Sequence, residues 1–125
     1  MKIIKMYEYP NCTTCKKAVK FLVNNRFPVE RVNIFERAPT KTEIKLMLKY
    51  LDGNLRRIFN TTGTLYKEMK LAEKLPKMTE DEAIELLTSN GRLVKRPFLL
   101  LESTGLIGFH ESQWREKLLG EAKKS

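Results

Sequence analysis

Tyr9-Pro10-Asn11-Cys12-Thr13-Thr14-Cys15-Lys16-Lys17-Ala18 holds both cysteines of this 125-residue chain. The run Lys2-Ile3-Ile4-Lys5-Met6-Tyr7 before it alternates like a strand over residues 2–8. Behind it Cys15, Ala18, Val19, Leu22 and Val23 recur at helical spacing as far as Asn24-Asn25. The pair therefore stands where a strand turns into a helix. There the first backbone N–H groups of the helix have no partners, and the positive end of its dipole favours a thiolate over a thiol. An ordinary cysteine is only about 3% ionised at neutral pH, so any lowering of its pKa enlarges the reactive fraction. Cys12 reads as a nucleophile. Cys15, one turn on and on the same face, reads as the thiol that resolves a mixed disulfide formed at Cys12. Asn11, Thr13 and Thr14 frame the turn, and Tyr9 is expected as an apolar wall beside it. Lys16 and Lys17 either support a nearby anion or are a plain surface pair.

Working outward, Pro28 opens Val29-Glu30-Arg31-Val32-Asn33-Ile34-Phe35, a second strand with apolar residues at Val32 and Ile34. This completes a βαβ unit. Thr40 with Glu43 forms a capping-box pattern that opens a helix through Ile44, Met47, Leu48 and Leu51, stopped by Asp52-Gly53. A helical piece over 55–59, the polar turn Asn60-Thr61-Thr62-Gly63 and a helical turn near 71–75 follow. A second capping box, Thr79 with Glu82, opens a helix that ends at Asn90-Gly91. Residues 93–101 read as an apolar strand broken at its entrance by Pro97. Ser103-Thr104-Gly105 turns the chain into Leu106-Ile107-Gly108-Phe109, and a last helix spans 111–119 around Trp114, expected as a core anchor.

One domain, 1–125, is expected, with residues 1–39 and 92–120 as its core and 40–91 as a helical insertion. Two cysteines are too few for a disulfide scaffold, no run of eighteen apolar residues suggests a membrane span, and the start of the chain does not look like a signal segment. A soluble cytoplasmic protein with free thiols is the expectation. The net charge of +9, from 24 Lys and Arg against 15 Asp and Glu, is spread along helix faces such as Lys41, Lys45 and Lys49. No zinc, helix-turn-helix or RNA-binding motif accompanies it, so direct nucleic-acid binding is not expected. His110 is the single histidine, which with two cysteines makes a poor tetrahedral set, so no metal site is expected; it should pack against or cap the last helix.

The cysteine motif on a βαβ unit, the helical insertion, and Lys95-Arg96-Pro97 opening a hairpin followed by Gly108-Phe109 and Trp114 resemble the thioredoxin fold. More narrowly they resemble the ArsC/Spx/MgsR family, with Asn33-Ile34-Phe35, Phe59-Asn60-Thr61, Gly63 and Tyr66-Lys67-Glu68 adding to the likeness with its arsenate-reductase-like branch. The resemblance implies an α/β fold with a four-stranded mixed sheet, the helical insertion lying between an N-terminal βαβ and a C-terminal ββα unit. It implies that Arg96 lies against Cys12 and that the Arg96-Pro97 bond is cis. A planar guanidinium suits a thiolate, an oxyanion or a carboxylate.

Departures from the family pattern bear on substrate. Glutaredoxin-linked arsenate reductases bind their oxyanion with further arginines, where this chain carries Asn60 and Gly108-Phe109. Each charge-assisted contact contributes about 1.5–3 kcal/mol, so their loss weakens oxyanion binding. Those reductases also commonly lack a counterpart of Cys15. The expected function is thus an arsenate-reductase-like thiol-disulfide oxidoreductase acting on a thiol or disulfide, with arsenate a secondary candidate. It would have no bound cofactor and would be reduced by glutathione, glutaredoxin or thioredoxin. The alternative is an Spx-like redox-sensing regulator that binds the C-terminal domain of the RNA polymerase α subunit, for which Gly53 lies near a glycine used at that interface.

Overall fold

Alternation along the first strand sorts its side chains to two faces, and each face is covered by helices that the sequence places on opposite sides of the sheet. The computed structural model describes residues 3–124, with side chains through 120. β1 (Ile4–Glu8), α1 (Thr13–Asn24) and β2 (Val29–Asn33) form the βαβ unit, β1 and β2 pairing in parallel from Ile4 opposite Val29 to Glu8 opposite Asn33. β3 (Phe98–Leu100) runs antiparallel along the other edge of β1, and β4 (Gly105–Ile107) antiparallel to β3. The order is β2-β1-β3-β4, a mixed four-stranded sheet. Between β2 and β3 stand α2 (Lys41–Tyr50), α3 (Thr64–Glu68), α4 (Leu71–Lys74) and α5 (Glu80–Ser89), and α6 (Glu111–Lys124) closes the chain.

On one face Ile4, Met6, Leu99 and Leu106 pack against Ala18, Phe21 and Leu22 of α1 and Trp114 and Leu118 of α6. On the other Tyr7, Val32, Phe98 and Ile107 meet Ile44, Met47 and Leu48 of α2 and Ala83, Ile84 and Leu87 of α5. Each such side chain contributes about 1.5–3 kcal/mol of burial, which makes these two seams the main source of cohesion. Trp114 is fully buried, its indole N–H donating to the Gly108 carbonyl at 3.0 Å.

Both expected capping boxes are present. Thr40 and Thr79 accept from the N–H of Glu43 and Glu82, whose carboxylates accept the threonine N–H in return. Glu43 also accepts from the Tyr7 hydroxyl at 2.6 Å and pairs with Lys5 at 3.4 Å, fastening the start of α2 to β1.

Several boundaries differ from the sequence reading. The expected strand 93–101 is reduced to Phe98–Leu100, because residues 91–93 form a 3₁₀ turn and Pro97 has no N–H to give to a ladder. β2 stops at Asn33, whose side-chain oxygen accepts from the Phe35 N–H at 2.9 Å and curls the chain away, although the Ile34 N–H still reaches the Glu8 carbonyl. α3 was not expected as a helix, and α6 continues past 119 to Lys124. β1 begins at Ile4; Lys2, included in the expected strand, lies outside the described residues.

Candidate active site

A hydrogen bond from the Cys12 N–H to the Tyr9 carbonyl closes the turn after β1 and delivers Cys12 to the N-cap of α1, its carbonyl accepting the first helical bond from Lys16. No side-chain oxygen caps this helix and its first turn has no acidic residue, so its amide dipoles are left facing the sulfur. The Cys12 side chain makes no capping hydrogen bond of ordinary geometry. Ionisation is nonetheless easier than in an ordinary cysteine. Partial burial by itself raises the Cys12 pKa, but the Cys15 N–H, the Cys15 thiol and the Arg96 guanidinium outweigh it and leave the value below that of an ordinary cysteine.

Cys15, at the third helical position, is buried on the face of α1 that meets the sheet. Its pKa is pushed up to about 12, by desolvation first, against a lowering contribution from the Tyr9 N–H, with the negative charges of Cys12 and Glu8 raising it further. The two thiols are therefore driven in opposite directions. Glu8 shares strand parity with Met6 and Ile4, which face α1, and is itself buried. Its Oε1 accepts from Arg31 Nε at 2.6 Å, while Oε2 has no hydrogen-bond partner among the described residues.

Arg96 reaches this corner because the segment before it is held at two places. The Asn60 N–H donates to the Leu93 carbonyl and the Lys95 N–H to the Ile58 carbonyl, each at 2.8 Å, flanking the Phe59–Val94 bridge. Gly91 packs directly on the end of β2, where a Cβ would fall 1.7 Å from the Ile34 carbonyl oxygen. Only glycine permits that approach. The Arg96-Pro97 bond is cis, and the carbonyl of buried Pro97 accepts from the Gly108 N–H at 2.9 Å. The Arg96 guanidinium lies 5.8 Å from the Tyr9 ring centroid and 5.1 Å from that of Phe35.

Cys12, Cys15 and Arg96 are thus brought together, with Tyr9 beside them. Asn11 donates to the Tyr9 hydroxyl at 3.2 Å, and Thr13 and Thr14 are exposed in the first turn. Asn60 lies on the strap that leads to Arg96, its N–H donating to the Leu93 carbonyl. Lys16 and Lys17 are exposed on the first turns of α1. His110 is exposed and its carbonyl accepts the first helical bond of α6 from Trp114. Among the described residues no group of three His, Cys, Asp or Glu could hold a metal ion, and no helix is long and apolar enough to cross a membrane.

Three residues around this corner carry no site role in the sequence reading. Glu8 looked like the polar member of an alternating strand. Phe35 looked like the end of one, and Arg92 one cation among many. Only the fold reveals that β1 buries its last residue under α1, and that Phe35 and Arg92 meet at 5.1 Å.

The profile of the ArsC family matches residues 7–117. The Bacillus subtilis protein YusI is 40% identical over 113 residues, covering 90% of this chain and 96% of that protein. The B. subtilis regulatory protein MgsR is 27% identical, covering 88% of this chain and 86% of its own length. The crystal structure of an ArsC family related protein from Bacteroides fragilis superposes with a TM-score of 0.85 at 41% identity, covering 90% of this chain and 95% of that one. With the mixed sheet, the paired cysteines and an extent of match that takes in nearly every element, the chain belongs to the ArsC family.

Proposed function

We propose that this protein is a thiol-disulfide oxidoreductase in which Cys12 attacks and Cys15 resolves. The observation that carries this reading is the placement of two thiols at the N-cap and third position of one helix, a guanidinium beside the outer one, so that the outer ionises more readily than an ordinary cysteine and the inner stays protonated at neutral pH. The Cys12 thiolate attacks a disulfide sulfur, forms a mixed disulfide and releases one thiolate. Cys12 then has no negative charge. Two of the effects that hold Cys15 protonated come from that charge, so Cys15 ionises more readily once the mixed disulfide exists. It attacks the Cys12 sulfur, closing the intramolecular disulfide and releasing the second thiolate. Arg96 stabilises anionic sulfur, while Asn11, Thr13, Thr14 and Pro97 shape the entrance and Asn60 acts through the strap.

No bound cofactor enters these steps. A reducing thiol such as glutathione, glutaredoxin or thioredoxin returns the dithiol, as suits a cytoplasmic setting. Arsenate is a secondary substrate, since the cations that would join Arg96 around an oxyanion are replaced by Asn60 and Gly108-Phe109. Cys15→Ser tests the sequence of steps. Incubated with a small disulfide, it should accumulate a mixed disulfide at Cys12 that mass spectrometry detects, whereas the unaltered protein should pass to the intramolecular disulfide. Adduct at neither cysteine would contradict the reading.

A second reading is favoured by the regulatory relative MgsR and by Gly53, exposed after α2 at φ +80° with open space around its Cα. Here the same dithiol would sense oxidants and the protein would bind the C-terminal domain of the RNA polymerase α subunit. Titration with that domain in both redox states separates the two, since absence of binding in either state removes the regulator.

A further inference from the structure

Phe35 is a large aromatic side chain left 36% exposed at the corner where Tyr9 and Arg96 meet. It stacks on Tyr9 with centroids 4.2 Å apart, and the guanidinium groups of Arg92 and Arg96 each lie 5.1 Å from its ring centroid. Three separate stretches of chain supply this cluster: the turn after β1, the turn after β2, and the segment that Gly91 allows against Ile34. Neither arginine has a carboxylate partner in the ion pairs of the described residues. The two differ in what they serve. Arg96 reaches the Cys12 sulfur as well as the rings, whereas Arg92 lies over the Phe35 ring.

We propose that Phe35, Tyr9 and Arg92 form a shelf that binds the carboxylate-bearing half of a disulfide substrate, selecting acidic disulfides with a flat or apolar body over neutral ones. This deepens the thiol-disulfide reading and rests on it. A guanidinium held over an aromatic ring keeps its outer N–H donors available as a planar fork, the geometry that a carboxylate accepts. The stacked rings supply apolar surface for the body of the same group. The attack at Cys12 stays balanced as before: one substrate half is retained as the mixed disulfide, the other leaves as a thiolate, and Cys15 releases the first on closing the internal disulfide. Two cysteine thiols are oxidised by two electrons and the substrate disulfide is reduced by the same two.

Two chromogenic aromatic disulfides provide the test: dithiobis(nitrobenzoate), whose halves carry carboxylates, and neutral dipyridyl disulfide. Second-order rate constants for both are measured on the reduced full-length protein and on Arg92→Gln and Arg92→Lys, with free cysteine as reference. The ratio of the acidic to the neutral reagent, corrected for free cysteine, should fall about fivefold in Arg92→Gln, less in Arg92→Lys, and should narrow in the unaltered protein as salt is added. A fast unaltered protein whose ratio survives Arg92→Gln overturns the shelf alone. An unaltered protein that reacts with both reagents no faster than free cysteine removes the thiol-disulfide reading and the shelf with it.

Discussion

Three helices of this protein begin on the same spacing, and one of them begins differently. At α2 and α5 the N-cap and third residues are Thr40 with Glu43 and Thr79 with Glu82, four oxygen-based contacts that satisfy unpaired N–H groups. At α1 the same two positions are Cys12 and Cys15. A sulfur is a weak acceptor until it ionises, so α1 gives up a cap whose replacement by alanine costs about 1 kcal/mol elsewhere, and its amide dipoles remain available to a thiolate. The chain thus uses one local device for stability at two sites and leaves it incomplete at the third, where the two thiols stand.

The largest effect expected from this comparison is at Cys12. Cys12→Ser should reduce disulfide reductase activity to background while supplying a proper cap to α1. Thermal melting should therefore show unchanged or higher stability, by up to about 1 kcal/mol. Loss of activity together with a marked loss of stability would break the contrast. Next is Thr79→Ala, which removes the oxygen cap of α5 and should cost about 1 kcal/mol in denaturant unfolding, without altering the reactivity of Cys12. A change in thiol reactivity there would mean that the two helix ends are not independent.

The smallest effect is a pH dependence. Burial alone raises the Glu43 pKa, but the Thr40 N–H, the Tyr7 hydroxyl and Lys5 outweigh it and hold the value below that of an ordinary carboxyl group. Because the folded value lies below the unfolded one of about 4.3, the stabilisation is complete above that pH and is lost as pH falls through the folded value. Glu43→Gln should flatten this part of a plot of stability against pH. An acid limb of unchanged slope would show that the carboxylate at the third position of α2 is not what ties α2 to β1.

Much of the fold was legible because local chemistry and tertiary demand agree. The capping boxes, the helical run from Cys15 to Leu22 and the βαβ order follow from spacing alone, and the resemblance added the hairpin after Arg96-Pro97. The misread boundaries lie where tertiary contacts prevail. Asn33 ends β2 with its own side chain, and residues 91–93 coil because the chain must cross Ile34 through Gly91. At the site, Cys12, Cys15 and Arg96 were legible through motif and resemblance. Glu8, Phe35 and Arg92 were not, since burial of an acid at a strand end and the meeting of a ring with two distant arginines depend on which strands become neighbours.

The central claim is that Cys12 ionises below an ordinary cysteine while Cys15 ionises far above one. Alkylation by iodoacetamide across a range of pH, with the modified residue located by mass spectrometry, measures this directly. The account predicts modification at Cys12 alone near neutrality, with a midpoint below the ordinary thiol value of about 8.5 and moved upward by Arg96→Gln. A midpoint at or above that ordinary value, or first modification at Cys15, would contradict it.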